Sequence, residues 1–155
     1  QGSEFIVRLP VHSSAHERPV DPDSIVRAPA RALKVLVMED NPDVARSIAR
    51  QLGVAGHDVR VAQDGESGVS EAREFAPDAI LVDIGLPVMD GLQVAMRIRQ
   101  EPGLSNVLLI ALTGYGRDTD RQAARDLGFD YYLAKPVDFK TIESTLATVE
   151  RRTTG

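Results

Sequence analysis

Five short, mostly apolar runs recur from Leu33 onward, and a stretch with apolar residues at helical spacing follows each of them. Continuous apolar runs of this length predict strands that are buried on both faces of a parallel sheet. The runs occupy residues 33–38, 59–61, 79–82, 107–112 and 131–133. Because strand and helix alternate, the pattern predicts an α/β fold.

The helices are marked by their first residues as well as by their spacing. Asn41–Pro42 predicts the N-cap and the first turn of the first helix. Asp64, Asp90 and Asp138 are expected to begin the second, third and fifth helices. The fourth helix, near residues 117–127, has the weakest apolar pattern.

Five consecutive βα units predict a doubly wound, five-stranded parallel sheet, (βα)5, with helices on both faces. The flavodoxin-like strand order 2-1-3-4-5 is the obvious candidate, and its switch point lies between the first and third strands. Ligands of open α/β sheets bind beyond the carboxyl ends of the strands, next to such a switch point.

Polar residues stand at the carboxyl ends of four of these strands. Glu39 and Asp40 follow the first strand, Asp83 the third, Thr113 the fourth and Lys135 the fifth. The acids would repel one another when ionised, and a hard divalent cation such as Mg²⁺ relieves that repulsion. An amine suits a phosphate oxygen, and a carboxylate can itself act as a nucleophile toward phosphorus. The set therefore predicts a site for Mg²⁺ and a phosphoryl group.

In order and spacing, these residues resemble the receiver domain of two-component response regulators, over residues 33–150. The loop after the third strand, residues 86–91, fits that resemblance as well. The resemblance implies that Asp83 accepts a phosphoryl group from the phosphohistidine of a kinase or of a histidine phosphotransfer domain. It also implies that Mg²⁺ is bound by Glu39, Asp40, Asp83 and the backbone carbonyl of Gly85.

The same resemblance assigns roles on the last two strands. Thr113 and Lys135 are expected to contact the phosphoryl group, and Thr113 and Tyr132 to act as switch residues. Phosphorylation would then shift the population between two packings of the face formed by the fourth helix, fifth strand and fifth helix. Gly85 has no side chain to position a water, and Tyr115 could cover the phosphoryl group, so slow self-dephosphorylation is expected.

The ends of the chain suggest a longer parent protein. The chain begins with Gln, and residues 1–10 resemble the last strand of a histidine kinase ATP-binding domain, although Gly2–Phe5 also matches a cloning scar. Residues 11–31 are predicted to be a linker, since four of the nine prolines lie between positions 10 and 31. Residues 32–150 form the receiver, and 151–155 a short tail without a DNA-binding effector. A hybrid histidine kinase is therefore the expected parent.

The composition of the chain limits the classes of partner that we expect it to bind. A net charge of −5 without a basic stripe argues against nucleic-acid binding. No apolar run is long enough to span a membrane, so we expect no membrane contact by this chain and a cytoplasmic location, with a membrane-anchored parent left open. Homodimerisation is also left open.

Cysteine is absent from the chain. His12, His16 and His57 have no acidic partner at ligand spacing, so these three histidines are expected on the surface.

Two other classes of protein fit parts of the pattern. A Mg²⁺-dependent phosphohydrolase with an aspartyl nucleophile often carries Asp-x-Asp, whereas this chain has Asp83–Ile84–Gly85 and lacks the second acid. A flavin- or nucleotide-binding module would need a glycine-rich loop after the first strand, where residues 39–42 carry two acids instead. Turnover of small phosphate esters would separate an enzyme from a stoichiometric acceptor with at most self-phosphorylation and self-dephosphorylation.

Overall fold

In the computed structural model, the residues described are 6–7, 31–114, 122, 125–126 and 128–153. They form one six-stranded sheet in the order β1-β6-β5-β4-β2-β3. The strands are β1 (Ile6–Val7), β2 (Lys34–Met38), β3 (Asp58–Ala62), β4 (Ala79–Asp83), β5 (Leu108–Thr113) and β6 (Tyr131–Ala134). Strands β2 to β6 are parallel and correspond to the five predicted strands. Their order confirms the predicted 2-1-3-4-5 arrangement.

Four helices are described: α1 (Pro42–Val54), α2 (Gly65–Phe75), α3 (Gly91–Gln100) and α4 (Phe139–Thr153). The last of these, α4, corresponds to the predicted fifth helix. Of the helix predicted near 117–127, only Gln122, Arg125 and Asp126 are described, and all three are helical. The predicted linker lies outside the described residues, apart from Arg31. Among the described helices, none combines the length and the apolar character that a membrane span requires.

The helix starts follow the cap residues of the sequence. The Asn41 side chain accepts hydrogen bonds from the amides of Asp43 and Val44, with Pro42 at the first helical position. Asp64 caps α2 by accepting from the Ser67 amide at 2.8 Å. These caps satisfy amide groups that the first turn of a helix leaves without intrahelical partners, so they fix where each helix leaves the edge of the sheet.

The core lies on both faces of the sheet. Alternate strand residues enter two clusters, as the two-residue period of a strand requires. Leu36, Ile80 and Leu109 pack with α2 and α3 on one face, whereas Leu81 and Ile110 pack with α1 and α4 on the other. Burial on both faces explains why the central strands are continuous apolar runs.

The surface position expected for His57 is wrong. Its side chain is 1% exposed, and Nδ1 accepts a hydrogen bond from the Leu33 amide at 3.2 Å. Nε2 therefore carries the proton and donates to Glu143 on α4 at 3.0 Å. His57 thus ties α4 to the amino-terminal edge of the sheet. His12 and His16 lie outside the described residues.

An arginine joins the segments that lead into β5 and β6. The Arg99 guanidinium donates to the carbonyl oxygens of Ser105, Val107 and Gly128. It also binds the Asp130 carboxylate at 2.9 Å, and that carboxylate accepts from the Leu109 amide. The planar fork of arginine suits such multiple acceptors, so α3 is fastened to the amino-terminal ends of both strands.

Candidate functional site

The predicted site residues meet at the carboxyl edge of the sheet. Asp83 and Thr113 are the last residues of β4 and β5. Glu39 follows β2, and Lys135 follows β6. Because these four parallel strands are neighbours, their ends converge at the topological switch point where α/β sheets bind ligands.

Three carboxylates lie close together at this edge. One oxygen from each of Glu39, Asp40 and Asp83 lies within 4.8 Å of the others. Glu39 is 1% exposed and Asp83 7%, whereas Asp40 is exposed. Carboxylate oxygens are the hard ligands that Mg²⁺ prefers, and the exposed Asp40 leaves one side of the group open to water. The donor set therefore fits a magnesium ion.

Lys135 lies between two of these acids. Its Nζ donates to Glu39 Oε2 at 2.6 Å and is 3.1 Å from Asp83 Oδ2. The other oxygen of Glu39, Oε1, accepts from the Asn41 amide at 3.2 Å. The ammonium group thus offsets part of the negative charge of the three acids.

Burial and charge shift the pKa values of this pair. Desolvation by burial raises the pKa of the Glu39 carboxyl, and the hydrogen bond from Lys135 only partly offsets it. Burial alone would lower the pKa of Lys135, but its bonds to Glu39 and Asp83 outweigh burial and raise that pKa. Lys135 is therefore a firmly protonated cation at neutral pH.

The backbone after β4 holds the Asp83 side chain in place. The Gly85 amide donates to Asp83 Oδ1 at 2.9 Å, and the Ile84 amide donates to the Leu112 carbonyl of β5 at 2.9 Å. A β-carbon at position 85 would lie 3.5 Å from Asp83 Oδ1, an ordinary van der Waals distance. The site therefore has room for a β-carbon at this position.

Gly91 is a site-forming residue that the sequence pattern did not single out for this role. A β-carbon there would lie 2.7 Å from the Ile84 Cα and 2.8 Å from the Asp83 carbonyl oxygen. Its amide donates to the Ile84 carbonyl at 3.1 Å. Only glycine permits this approach, so the start of α3 is packed against the backbone that presents Asp83. The Asp90–Gly91 pair in the sequence indicated a helix start but not this contact.

The loop between Asp83 and α3 contains a strained turn. Met89 donates its amide to the Pro87 carbonyl at 2.8 Å, which closes a three-residue γ-turn. Val88, at its centre, has a φ of 67° and is fully exposed. A β-branched residue rarely adopts this left-handed backbone.

Thr113 and Tyr132 lie on the last two strands, and Thr113 stands at the edge of the sheet that carries the acids. Asp83 pairs with Leu112 in the sheet, so Thr113 stands one residue further toward the edge. Its carbonyl accepts from the Lys135 amide at 2.7 Å. Tyr132 is buried in the cluster beneath α2 and α3, whereas Tyr131 packs on the opposite face of the sheet.

Together, these residues can hold a cation and a phosphoryl group. Three carboxylates face one ammonium group, and a threonine stands at the end of the neighbouring strand. A carboxylate beside a protonated amine can attack phosphorus while the amine offsets charge on the transferred oxygens. The second acid that an aspartyl phosphohydrolase often carries is replaced by Gly85, which does not favour that class.

Comparison with known proteins places this architecture in a family. Residues 35–147 match the model of the response regulator receiver domain. The chain is 32% identical over 120 residues to the DNA-binding dual master transcriptional regulator RpaA of Synechocystis, covering 77% of this chain and 50% of RpaA. It is 36% identical over 132 residues to the transcriptional regulatory protein TcrA of Mycobacterium tuberculosis, covering 81% and 51%. The chain thus spans about half the length of these relatives.

Solved structures give the same answer. Chemotaxis protein CheY4 of Vibrio cholerae superposes with a TM-score of 0.73 at 26% identity, covering 77% of this chain and 99% of CheY4. The receiver domain of sensor histidine kinase PA1611 from Pseudomonas aeruginosa, which has a magnesium ion in its active site cleft, gives 0.71 at 33%, covering 76% and 97%. By sequence, fold and the convergence of its strand-end residues, the chain belongs to the response regulator receiver domain family.

Proposed function

We propose that Asp83 is the phosphoacceptor of this receiver domain and that Glu39, Asp40, Asp83 and the Gly85 carbonyl hold Mg²⁺. The observation that carries the proposal is the position of Lys135, whose ammonium group contacts Glu39 and Asp83 together at 2.6 and 3.1 Å. The same lysine can therefore release Glu39 when the cation binds and contact the phosphoryl oxygens that Asp83 carries after transfer.

In the proposed reaction, an Asp83 carboxylate oxygen attacks the phosphorus of a phosphohistidine. The new P–O bond forms as the P–N bond breaks, and the imidazole leaves with the electron pair. Bound Mg²⁺ would supply charge stabilisation for the phosphoryl oxygens. The Gly85 amide fixes the orientation of Asp83, and Lys135 neutralises charge on the group that is transferred.

Phosphorylation is then proposed to act through Thr113 and Tyr132. Thr113 is buried at the end of β5, and its carbonyl is bonded to the Lys135 amide. Tyr132 lies on β6, three residues before that lysine, and is 3% exposed. A hydrogen bond from the Thr113 hydroxyl to the phosphoryl group would favour one packing of β5, β6 and α4 over another.

The direct test is phosphorylation with and without the acceptor carboxylate. Incubation with phosphoramidate, which carries a P–N bond, and Mg²⁺ should add one hydroxylamine-labile phosphoryl group to the wild-type chain. Asp83→Asn should abolish it, because an amide lacks the nucleophilic oxygen. Asp64→Asn is the matched control, since it makes the same change at an exposed helix cap. If Asp83→Asn were phosphorylated to the same extent as wild type, the acceptor would have to be another residue.

The same preparation tests the enzymatic alternative. A stoichiometric acceptor keeps the phosphoryl group on Asp83, so it should release no more than about one equivalent of p-nitrophenol from p-nitrophenyl phosphate before its slow self-dephosphorylation. Sustained turnover of p-nitrophenyl phosphate that requires Asp83 would favour the phosphohydrolase instead.

We infer further that the parent protein is a hybrid histidine kinase. Support comes from the 33% identity to the receiver domain of sensor histidine kinase PA1611. The curated relatives RpaA and TcrA are transcriptional regulators, which is the competing assignment. Sequencing the gene on both sides of this segment decides between them. A kinase ATP-binding domain before Gln1 supports the proposal, and a DNA-binding domain after Gly155 contradicts it.

A further inference from the structure

We propose that Ile6–Val7 is a strand cap, a segment that binds the outer edge of β6 within its own chain and prevents strand addition there. The two residues pair antiparallel with β6, in the register Ile6↔Leu133 and Val7↔Tyr132. All other strand pairs in the described sheet are parallel. The cap is therefore an addition to the βα units and not one of them.

The position of the cap follows from the sheet order. Strand β6 pairs with β5 on one side, and without β1 its other side would be the outermost edge of the sheet. An edge strand presents unpaired N–H and C=O groups that can pair with another chain. The cap occupies that row opposite Tyr132 and Leu133, two residues before Lys135 begins the site loop. A peptide strand or a second copy of the chain would have to displace it.

The length of the chain allows the cap to come from the same molecule. Residues 8–33 separate β1 from β2, and a fully extended chain of this length reaches about 85 Å. That reach exceeds the width of a six-stranded sheet, which is about 25–30 Å. Because the two strands share one chain, their encounter is intramolecular and does not depend on protein concentration. We therefore assign the cap to its own sheet.

The first test measures backbone hydrogen exchange in β6. In an antiparallel strand, the backbone N–H and C=O groups of successive residues point alternately toward and away from one partner strand. Ile6→Pro/Val7→Pro therefore removes the amide hydrogen that faces β6, whichever of the two residues carries it. Amides of residues 131–134 that point outward should then exchange about tenfold faster, the effect of losing one hydrogen bond of ordinary strength. Ile6→Val/Val7→Ile keeps both amides and should leave exchange unchanged. So should Val11→Pro/His12→Pro, which adds two prolines elsewhere. Equal rates in all variants would overturn the proposal.

The second test needs no change in the cap. The chain has no cysteine, so Ser3→Cys provides a single site for a spin label about 10 Å along the chain from Ile6. In an isotope-labelled chain, the label should broaden the amide signals of residues 131–134. In a second sample, spin-labelled chains without isotope are mixed with isotope-labelled chains without a spin label. Broadening in this mixture would show that a second copy supplies the strand, and this would overturn the assignment. Neither test requires phosphorylation, so both remain informative if Asp83 is not the acceptor.

Discussion

Replacing Lys135 by Met should destabilise the metal-free chain, because it leaves the buried Glu39 carboxylate without its counter-charge. The change removes the contacts of 2.6 Å to Glu39 and 3.1 Å to Asp83 while keeping an unbranched side chain of similar length. Breaking a buried ion pair typically costs about 3–5 kcal/mol. The Lys135 side chain is 26% exposed, so we expect a smaller loss, about 2–4 kcal/mol at neutral pH.

The loss should depend on pH in a defined direction. The pKa of Glu39 is already raised above its usual 4.5 by burial, and removing the Lys135 hydrogen bond raises it further. A carboxyl whose pKa is higher in the folded state favours folding below its unfolded pKa, and that contribution is lost as pH rises through the folded value. The difference between Lys135→Met and wild type should therefore be largest at neutral pH and narrow toward pH 4.5.

Urea unfolding followed by circular dichroism measures these effects, with Mg²⁺ as a second variable. Mg²⁺ should stabilise Lys135→Met more than wild type, since the cation takes over the lost charge balance. Glu39→Gln completes a double-mutant cycle. The free energy of unfolding of the double variant should be at least about 1 kcal/mol higher than that of Lys135→Met alone. A loss below about 1 kcal/mol for Lys135→Met, or additive effects in the cycle, would refute the idea that this pair is electrostatically coupled.

Three further outcomes are expected. Asp40→Ala should weaken Mg²⁺ binding more than Glu39→Ala in calorimetric titration, because we expect the exposed Asp40 to ligate the ion directly and Glu39, which is bonded to Lys135, to act through water; equal losses, or none, would contradict this division. Gly85→Asn should hasten decay of the phosphorylated chain by positioning a water, whereas Gly85→Ala, which adds a β-carbon alone, should not; identical decay in all three would end that explanation. The pKa of Asp64 is lowered by the Ser67 amide, so its stabilising effect is present above pH 3.8 and lost as pH falls through the lower folded value. Asp64→Ala should therefore lower the melting temperature at pH 7 but not at pH 2, while Asp64→Asn, which can still cap, should lower it less; a deficit of the same size at both pH values would contradict this.

The sequence was sufficient for the sheet and for the place where the site residues meet. Doubly buried strands must be apolar throughout, so their ends are visible as the first polar residues, and parallel strands bring those ends to one edge. This is why Asp83 and Lys135 could be placed together although 52 positions separate them in the sequence. Cap residues such as Asn41 are equally visible, because their effect is local.

Contacts between distant segments could not be predicted in the same way. The partner of His57 is Glu143, 86 positions along the chain, and no spacing pattern in the sequence connects the two. The need for glycine at position 91 depends on how closely α3 approaches Asp83 and Ile84, which no local pattern encodes. The strand near the start of the chain was predicted as the last strand of a preceding kinase domain, whereas Ile6–Val7 pairs with β6 of this sheet. Periodicity marks a strand but does not show which sheet it joins.

The γ-turn at Val88 implies that this domain is below the stability its own backbone allows. A left-handed conformation costs a residue with a β-carbon about 1–2 kcal/mol relative to the right-handed one, and the fully exposed Val88 side chain recovers little of this by packing. Glycine or asparagine at this position would adopt the turn more easily. A designer optimising the fold alone would replace Val88, and such a variant should melt at a higher temperature. Under the proposed role of Asp83 as phosphoacceptor, a strained loop after that residue needs less free energy to change its shape when the carboxylate is phosphorylated.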